Sequence, residues 1–324
     1  MATYLIKDGK WQPRLKKSKH MTSSHKPSVV IGIPAFNEEG NIAALLSSLL
    51  AQKRDGFTLE KIIVSSDGSE DNTVQKVQTF KNSLIKVIAN SDRQGQGARQ
   101  NQLVKLCRAD ILVLLNADMV IKDAKFLEKL IAPVASGQAD LTSANFEPLP
   151  ADGWFDRIIV AGLHYKKSVY DDFQNGNNWH TCWGAARAFS NRFYPQLNFK
   201  RSVSEDLYTY LLCKAQGRKY LFVKDTVIYG KLPTNFADHK RQSTRFFHSN
   251  EVMLQEFTPE FLHKNHVWPI KRFIVQGLKM MVSYPELTLY PLVVILVKVL
   301  ALWDTETGKS DTWAVAQSTK SINL

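Results

Sequence analysis

Polar side chains follow four apolar runs in this 324-residue sequence, and their chemistry suggests a ligand-binding site. The clearest run is "ILVLL", which leads into Asn116 and Asp118. A carboxylate at a strand end can be an oxygen ligand for a hard divalent cation, although Asn and Asp also end strands in simple turns. The polar residues after the four runs are Asn37, Glu38 and Glu39, then Asp67, Gly68 and Ser69, then Arg93, and then Asn116 and Asp118.

Alternating strands and helices are the elements that would position these residues. The run "SVVIGIPA" precedes a segment in which Ile42, Leu45, Leu46 and Leu49 recur at helical spacing. The same alternation repeats through "KIIVS", "IKVIA" and "ILVLL". Strands that are nearly continuous in Val, Ile and Leu predict a parallel sheet covered by helices on both faces. Because ligands bind beyond the carboxyl ends of such strands, the polar residues are expected to converge on one crevice.

A second acidic site is the pair Glu205 and Asp206 in "SEDLYTYLL". Ser204 is a good N-cap residue, and acids in a first turn stabilise a helix, so the pair has a structural explanation of its own. It also offers a carboxylate that could act as a general base.

Five motifs together resemble the inverting family 2 glycosyltransferases. They are "IPAFNEEGNI", "SSDGSEDNT", "RQGQGARQNQ", "LLNADMVI" and "SEDLYTYLLCKAQG", and the resemblance covers roughly residues 28–246. It implies an α/β fold of the GT-A type, with a mostly parallel central sheet, helices on both faces and a C-terminal helical membrane-associated segment.

The resemblance also implies a seat for a nucleotide sugar. Asp118 would hold Mn²⁺ or Mg²⁺ on the donor diphosphate. Asn116 stands where the family commonly has the first Asp of Asp-x-Asp, so it can keep a hydrogen bond but brings no charge. The implied donor-binding residues are Pro34, Phe36, Glu38, Asp67, Arg93, Asn116, Asp118, Gln242 and Arg245.

The family analogy assigns the general base to Asp206, with Glu205 as a further base or an acceptor contact. Trp183 and Gly184 would lie on the acceptor side, where the indole could stack on a sugar ring, although a core Trp is an equal alternative. In "QSTRF", Gln242 and Arg245 match a Gln-x-x-Arg-Trp motif of membrane-embedded members, but Phe246 replaces the Trp.

The charge is unevenly distributed. Formal net charge is +12, and residues 1–27 carry seven Lys or Arg against one acid. This basic N-terminal arm lacks the apolar stretch of a secretory signal. It is expected either to meet an acidic surface, such as anionic lipid or nucleic acid, or to be a solvated terminus. The three scattered cysteines argue against a disulfide framework and for a reducing compartment.

The C-terminal region, residues 248–324, is expected to follow a catalytic domain at 28–247. "IKRFIVQGLKM" has the pattern of a basic interfacial helix, or of a helix packed on the catalytic domain. Residues 287–303 are almost entirely apolar but include Lys298 and fall short of the roughly twenty residues that span a bilayer. A short span, a surface-embedded helix and a buried helix all remain open.

The expected protein is a membrane-associated enzyme with its catalytic domain on the cytoplasmic side. It would transfer a sugar from a nucleotide-diphosphate sugar, with UDP favoured, to a glycan or lipid-linked acceptor. The alternative is a non-catalytic nucleotide-sugar-binding subunit of a polysaccharide assembly complex, motivated by Asn116 and Phe246. Nucleic acid is not an expected partner, because no recognition motif accompanies the basic charge.

Overall fold

The computed structural model describes residues 4–7, 10–13, 26–199, 204–303, 316–320 and 322. Within these ranges, side chains are described for all residues except 4–7, 10–13, 245–252 and 301–303. Most of the predicted basic N-terminal arm therefore lies outside the described residues.

Ten strands and ten α-helices form the described chain. The strands are β1 (Tyr4–Lys7), β2 (Lys10–Pro13), β3 (Ser28–Ala35), β4 (Thr58–Asp67), β5 (Ile85–Asn90), β6 (Ile111–Leu115), β7 (Met119–Val120), β8 (Leu141–Pro148), β9 (Ala186–Ser190) and β10 (Tyr220–Gly230). The helices are α1 (Ile42–Leu50), α2 (Thr73–Gln78), α3 (Gln96–Leu106), α4 (Phe126–Ala135), α5 (Trp154–Tyr170), α6 (Glu205–Ala215), α7 (Phe236–Glu256), α8 (Pro259–Asn265), α9 (Ile270–Ser283) and α10 (Tyr290–Trp303). Helix α7 runs across residue 247, so the predicted domain boundary falls inside a helix.

The central sheet is mixed, with four parallel and three antiparallel pairings among its eight strands, so the predicted parallel pairing predominates only slightly. Its eight strands lie in the order β5-β4-β3-β6-β9-β8-β10-β7. The first four strands of this order are parallel to one another. Strand β9 then runs antiparallel between β6 and β8, and β7 is antiparallel to β10. The predicted βα repeat therefore accounts for one half of the sheet only.

Side chains from the two faces of the sheet enter two different cores. Val29, Ile31 and Ile33 of β3 pack with α1 and α4 on one face. Val30 packs on the other face with the cluster that includes Leu103 of α3. Successive side chains of a strand point to opposite faces, so a continuous apolar run is what a strand buried on both faces requires. The predicted helix face of α1 is confirmed, because Ile42, Leu45, Leu46 and Leu49 are all buried.

The C-terminal helices α9 and α10 pack against α5. The Tyr165 hydroxyl donates to the Phe273 carbonyl at 2.7 Å. A Cβ added at Gly162 of α5 would lie 2.2 Å from the Tyr290 ring, so only glycine permits this close approach. Gly277 of α9 faces Tyr165. Hence one side of α9 packs on α5.

The opposite sides of α9 and α10 leave large apolar side chains exposed. The exposed residues are Ile270, Ile274, Val275, Leu278, Met281 and Val282 of α9, and Leu292, Ile295, Leu296 and Val299 of α10. Among the described helices, none combines the length and the apolar character needed to cross a membrane.

Candidate functional site

Four loops at the carboxyl ends of β3, β4, β5 and β6 are joined by direct contacts. The first and second loops are linked by the Asn37 side chain, whose Oδ1 accepts from the Glu70 amide at 2.9 Å. Asn37 has a φ of 51°, a left-handed conformation that Asn tolerates better than most residues. The first and third loops are linked because the Arg93 guanidinium lies 3.9 Å from the centre of the Phe36 ring. The structure thus brings the predicted donor-binding loops together.

Glu38 is a buried carboxylate at the centre of this arrangement. Its Oε2 accepts from Asn41 Nδ2 at 2.8 Å, and its Oε1 is paired with the Lys320 ammonium. Burial, followed by the negative charge of Asp118, raises the pKa of Glu38 to about 7, and the contacts with Lys320 and Asn41 offset this only in part. Glu38 and Asp118 therefore lie close enough for their charges to interact.

Asp67 organises the loop after β5. Its carboxylate accepts from the amides of Gln94 and Gly95 at 2.9 and 2.8 Å, and from Arg99 Nε at 2.6 Å. Asp67 and Arg99 are both buried. The contact of Asp67 with a nucleotide base remains a prediction. Arg99 was not among the predicted site residues, although it stands inside the motif "RQGQGARQNQ".

Asn116 and Asp118 lie on the short connection between β6 and β7. The Asn116 amide donates to the Ala185 carbonyl at 3.0 Å, and its side-chain Oδ1 accepts from Gln96 Nε2 at 3.0 Å. Asp118 is half-buried. The described residues contain no group of three or more His, Cys, Asp or Glu side chains that could hold a metal ion. A cation that bridges donor phosphates takes only one or two protein carboxylates, so Asp118, with Glu38 nearby, fits such an ion.

The acidic pair opens helix α6 beside the predicted acceptor residues. Asp206 Oδ1 accepts from Ser204 Oγ at 2.5 Å and from the Leu207 amide at 2.8 Å. A Cβ added at Gly184 would lie 3.8 Å from Asp206 Oδ2. Gly184 precedes Ala185, which bonds to Asn116, so the base candidate adjoins the loop that contains Asp118.

Glu205 is more enclosed than Asp206, with 7% of the residue exposed. Its carbonyl accepts from Arg187 Nη1 at 2.8 Å, and Arg187 also donates to Thr209 Oγ1 at 2.7 Å. Arg187 lies on β9 and is completely buried. It therefore anchors the first turn of α6 from below the site. The sequence holds no signal for this role, because Arg187 lies 18 residues from Glu205 and outside every recognised motif.

The other predicted site residues are Trp183, Pro34, Gln242 and Arg245. Trp183 is half-buried, with its ring centre 5.8 Å from that of Phe146 and 5.0 Å from that of His180. Pro34 lies within β3 and is buried, and Gln242 lies half-buried on α7. Arg245 belongs to α7, but its side chain lies outside the described residues.

Relatives with similar sequences transfer sugars. The chain is 31% identical over 119 residues to the UDP-Glc:alpha-D-GlcNAc-diphosphoundecaprenol beta-1,3-glucosyltransferase WfgD of Escherichia coli. The match covers 37% of this chain and 46% of WfgD. It is 30% identical over 167 residues to the dolichyl-phosphate beta-glucosyltransferase ALG5C of Trichomonas vaginalis, covering 44% of this chain and 49% of that protein. The chain thus spans about half the length of these curated relatives.

The fold is similar to that of a solved glycosyltransferase. The mannosyltransferase PcManGT of Pyrobaculum calidifontis, solved in complex with GDP-Man and Mn²⁺, superposes with a TM-score of 0.63. The match covers 87% of this chain and 89% of that chain at 16% identity, so it demonstrates a shared GT-A fold. Residues 30–196, more than half of the sequence, match the Glycosyl transferase family 2 domain. The chain therefore belongs to glycosyl transferase family 2.

Proposed function

We propose that the protein transfers a sugar from a nucleotide-diphosphate sugar to a glycan or lipid-linked acceptor, with inversion at the anomeric carbon. The observation that carries this proposal is that the loops at the strand ends and the start of α6 meet through direct contacts. The loops with Phe36, Glu38 and Asp118 form the donor side, and Asp206 adjoins them through Gly184. WfgD and ALG5C, which are similar to parts of this chain, are named for a diphosphoundecaprenol and a dolichyl-phosphate acceptor.

In this reaction an acceptor oxygen attacks the anomeric carbon from the side opposite the leaving diphosphate. A new carbon–oxygen bond forms as the bond to the diphosphate breaks, and the bonding electron pair departs with the diphosphate. Asp206 takes the proton of the acceptor hydroxyl. Its Oδ1 is held by Ser204 and by the Leu207 amide, so the carboxylate is oriented before the acceptor arrives.

A divalent cation would be held by Asp118 and would neutralise charge on the departing diphosphate. The Glu38 carboxylate lies close enough to Asp118 for the two groups to interact electrostatically. Such a cluster of carboxylates disfavours a diphosphate unless a cation intervenes. The presence of Mn²⁺ in PcManGT agrees with this role. We favour UDP as the donor nucleotide because WfgD is named for UDP-Glc.

A donor titration tests the proposal. UDP, GDP and their common sugar conjugates are titrated into the full chain by calorimetry, with and without Mn²⁺. We expect one nucleotide to bind with a Mn²⁺-dependent affinity, and its sugar conjugate then to be consumed in the presence of lipid-linked acceptors. Failure of every nucleotide to bind would contradict the proposal, whereas sugar transfer would exclude the non-catalytic alternative.

The same proposal includes attachment to a membrane surface through α9 and α10. The exposed apolar stripe of α9 includes Ile270, Ile274 and Leu278, and Lys271, Arg272 and Lys279 lie on the same helix. A helix with an apolar face and basic neighbours can lie in the interface of an anionic bilayer. This arrangement would bring a lipid-linked acceptor to the enzyme without a membrane-crossing helix.

Vesicle sedimentation tests this attachment. We expect the chain to sediment with phosphatidylserine-containing vesicles, and the double variant Ile274→Glu/Leu278→Glu to partition at least about tenfold less, since burial of each apolar side chain is worth about 1.5–3 kcal/mol. Leu106→Glu is the matched control, because Leu106 is an exposed leucine on α3. Equal binding by the double variant and the control would contradict a role for this face.

A further inference from the structure

A C-terminal segment lies across the donor side of the crevice. We call residues 316–320 and 322 the strap. One end of the strap is held at the start of α7, where the Ser318 amide donates to Asp238 Oδ2 at 2.9 Å and Ser318 Oγ accepts from the Thr234 amide at 3.2 Å. The other end is held near α1, where the Ile322 amide donates to Asn41 Oδ1 at 3.0 Å. The strap therefore ties the loop after β3 to α7.

Lys320 extends from the strap into the donor loops. Its ammonium donates to the Phe36 carbonyl at 2.7 Å and pairs with the Glu38 carboxylate. The side chain of Lys320 is 19% exposed and that of Glu38 is 6% exposed. The Arg93 guanidinium lies over the Phe36 ring, so two cationic groups flank this predicted donor-binding residue.

The negative charge of the donor side favours a role for the Lys320 ammonium in binding a diphosphate. The donor side contains the carboxylates of Glu38, Asp67 and Asp118. The Arg99 guanidinium forms an ion pair with Asp67. A nucleoside diphosphate brings at least two further negative charges. The Lys320 ammonium pairs with the single negative charge of Glu38. Pairing with the more highly charged diphosphate would stabilise it further, because charge-assisted hydrogen bonds to phosphate are strong. Asn41 remains bonded to Glu38 after such a move.

We propose that Lys320, which the strap carries, is a donor-binding residue. When a nucleoside diphosphate binds, the Lys320 ammonium leaves Glu38 and pairs with a phosphate oxygen. This inference rests on the proposed function, because it requires a diphosphate ligand in the crevice. The strap is held at Asp238 and Asn41 by contacts that do not involve the Lys320 side chain, so the exchange does not require the strap to detach. Lys320 is 282 residues from Glu38 in the chain and belongs to none of the recognised motifs.

Paired titrations of a diphosphate and its nucleoside test the proposal. UDP and uridine, and in parallel GDP and guanosine, are titrated by calorimetry into the full wild-type chain and Lys320→Gln with Mn²⁺ present. We expect Lys320→Gln to weaken binding of the diphosphate about tenfold or more, in keeping with the loss of a charge-assisted hydrogen bond. Binding of the nucleoside, which has no phosphate, should change less than about twofold on the same reasoning.

Two further variants act as controls. Lys320→Arg keeps the charge and should retain most of the affinity, and it preserves the test if Lys320→Gln fails to fold. Lys61→Gln removes an exposed lysine of β4 that bonds to the Ser83 carbonyl and should leave both titrations unchanged.

Equal diphosphate affinity in wild type and Lys320→Gln would overturn the inference. Tighter binding in Lys320→Gln would overturn it too and identify the strap as a plug. Absence of diphosphate binding by the wild-type chain would instead refute the proposed function.

Discussion

Replacing Asp206 by Asn is expected to lower kcat for sugar transfer by about 10²- to 10⁴-fold, the usual contribution of a general base. Asn has nearly the same shape and can still accept from the Leu207 amide, which bonds to Asp206 Oδ1 at 2.8 Å. It cannot take a proton from the acceptor hydroxyl. Donor affinity should be nearly unchanged, because Asp206 adjoins Gly184, which is predicted to lie on the acceptor side. Steady-state kinetics and donor calorimetry on the same preparation measure the two effects.

Glu205→Gln is the matched comparison for this variant. Glu205 is the neighbouring acid in the same helical turn, but it is buried and its carbonyl is bound by Arg187. We expect Glu205→Gln to retain far more activity than Asp206→Asn, provided that circular dichroism shows both variants folded. Full activity in Asp206→Asn, or a deeper loss in Glu205→Gln, would transfer the role of base away from Asp206.

Replacing Asp118 by Ala is expected to abolish the Mn²⁺ dependence of donor binding. A metal that polarises a phosphoryl oxygen contributes several kcal/mol to the transition state, so kcat/KM should fall by about 10²- to 10³-fold. Removal of the carboxylate also removes a negative charge that raises the pKa of Glu38. Calorimetry with UDP or GDP, at several Mn²⁺ concentrations, measures the effect.

The control for Asp118→Ala is Asp123→Ala. Asp123 is an acid five residues farther along the chain, and it pairs with Lys129 at 2.6 Å on the surface. It should leave Mn²⁺-dependent binding intact. If Asp118→Ala keeps the same Mn²⁺ dependence as the wild type, the cation is held elsewhere and Asp118 is a structural residue of the turn.

The sequence predicted the part of the site that local patterns describe. The helix face of α1 and the strand "ILVLL" follow from the spacing of apolar residues, and both are present. The convergence of Phe36, Glu38 and Arg93 follows from the general rule that parallel strands present their carboxyl ends at one edge. These predictions needed only the order of elements and their periodicity.

Strand order in the second half of the sheet could not be predicted in the same way. Strand β9 is inserted antiparallel between β6 and β8, although β8 precedes it and the long helix α5 intervenes. An apolar strand such as "ARAFS" has the same pattern in either direction, so its sequence does not specify its partners. Its position is fixed by packing on both faces, since Ala186 and Ala188 share a core with α4, whereas Arg187 and Phe189 face α6.

By itself, then, the sequence determined the βα repeat and the motif residues at the strand ends, because each follows from a local pattern, and the order of five such motifs determined the family. Only the tertiary structure decided that Arg99 neutralises Asp67, that Arg187 supports the base helix and that Lys320 reaches Glu38. The physical reason is that buried charges must find partners wherever the folded chain brings them, and those partners can be 32 residues away, as for Arg99 and Asp67, or 282, as for Lys320 and Glu38.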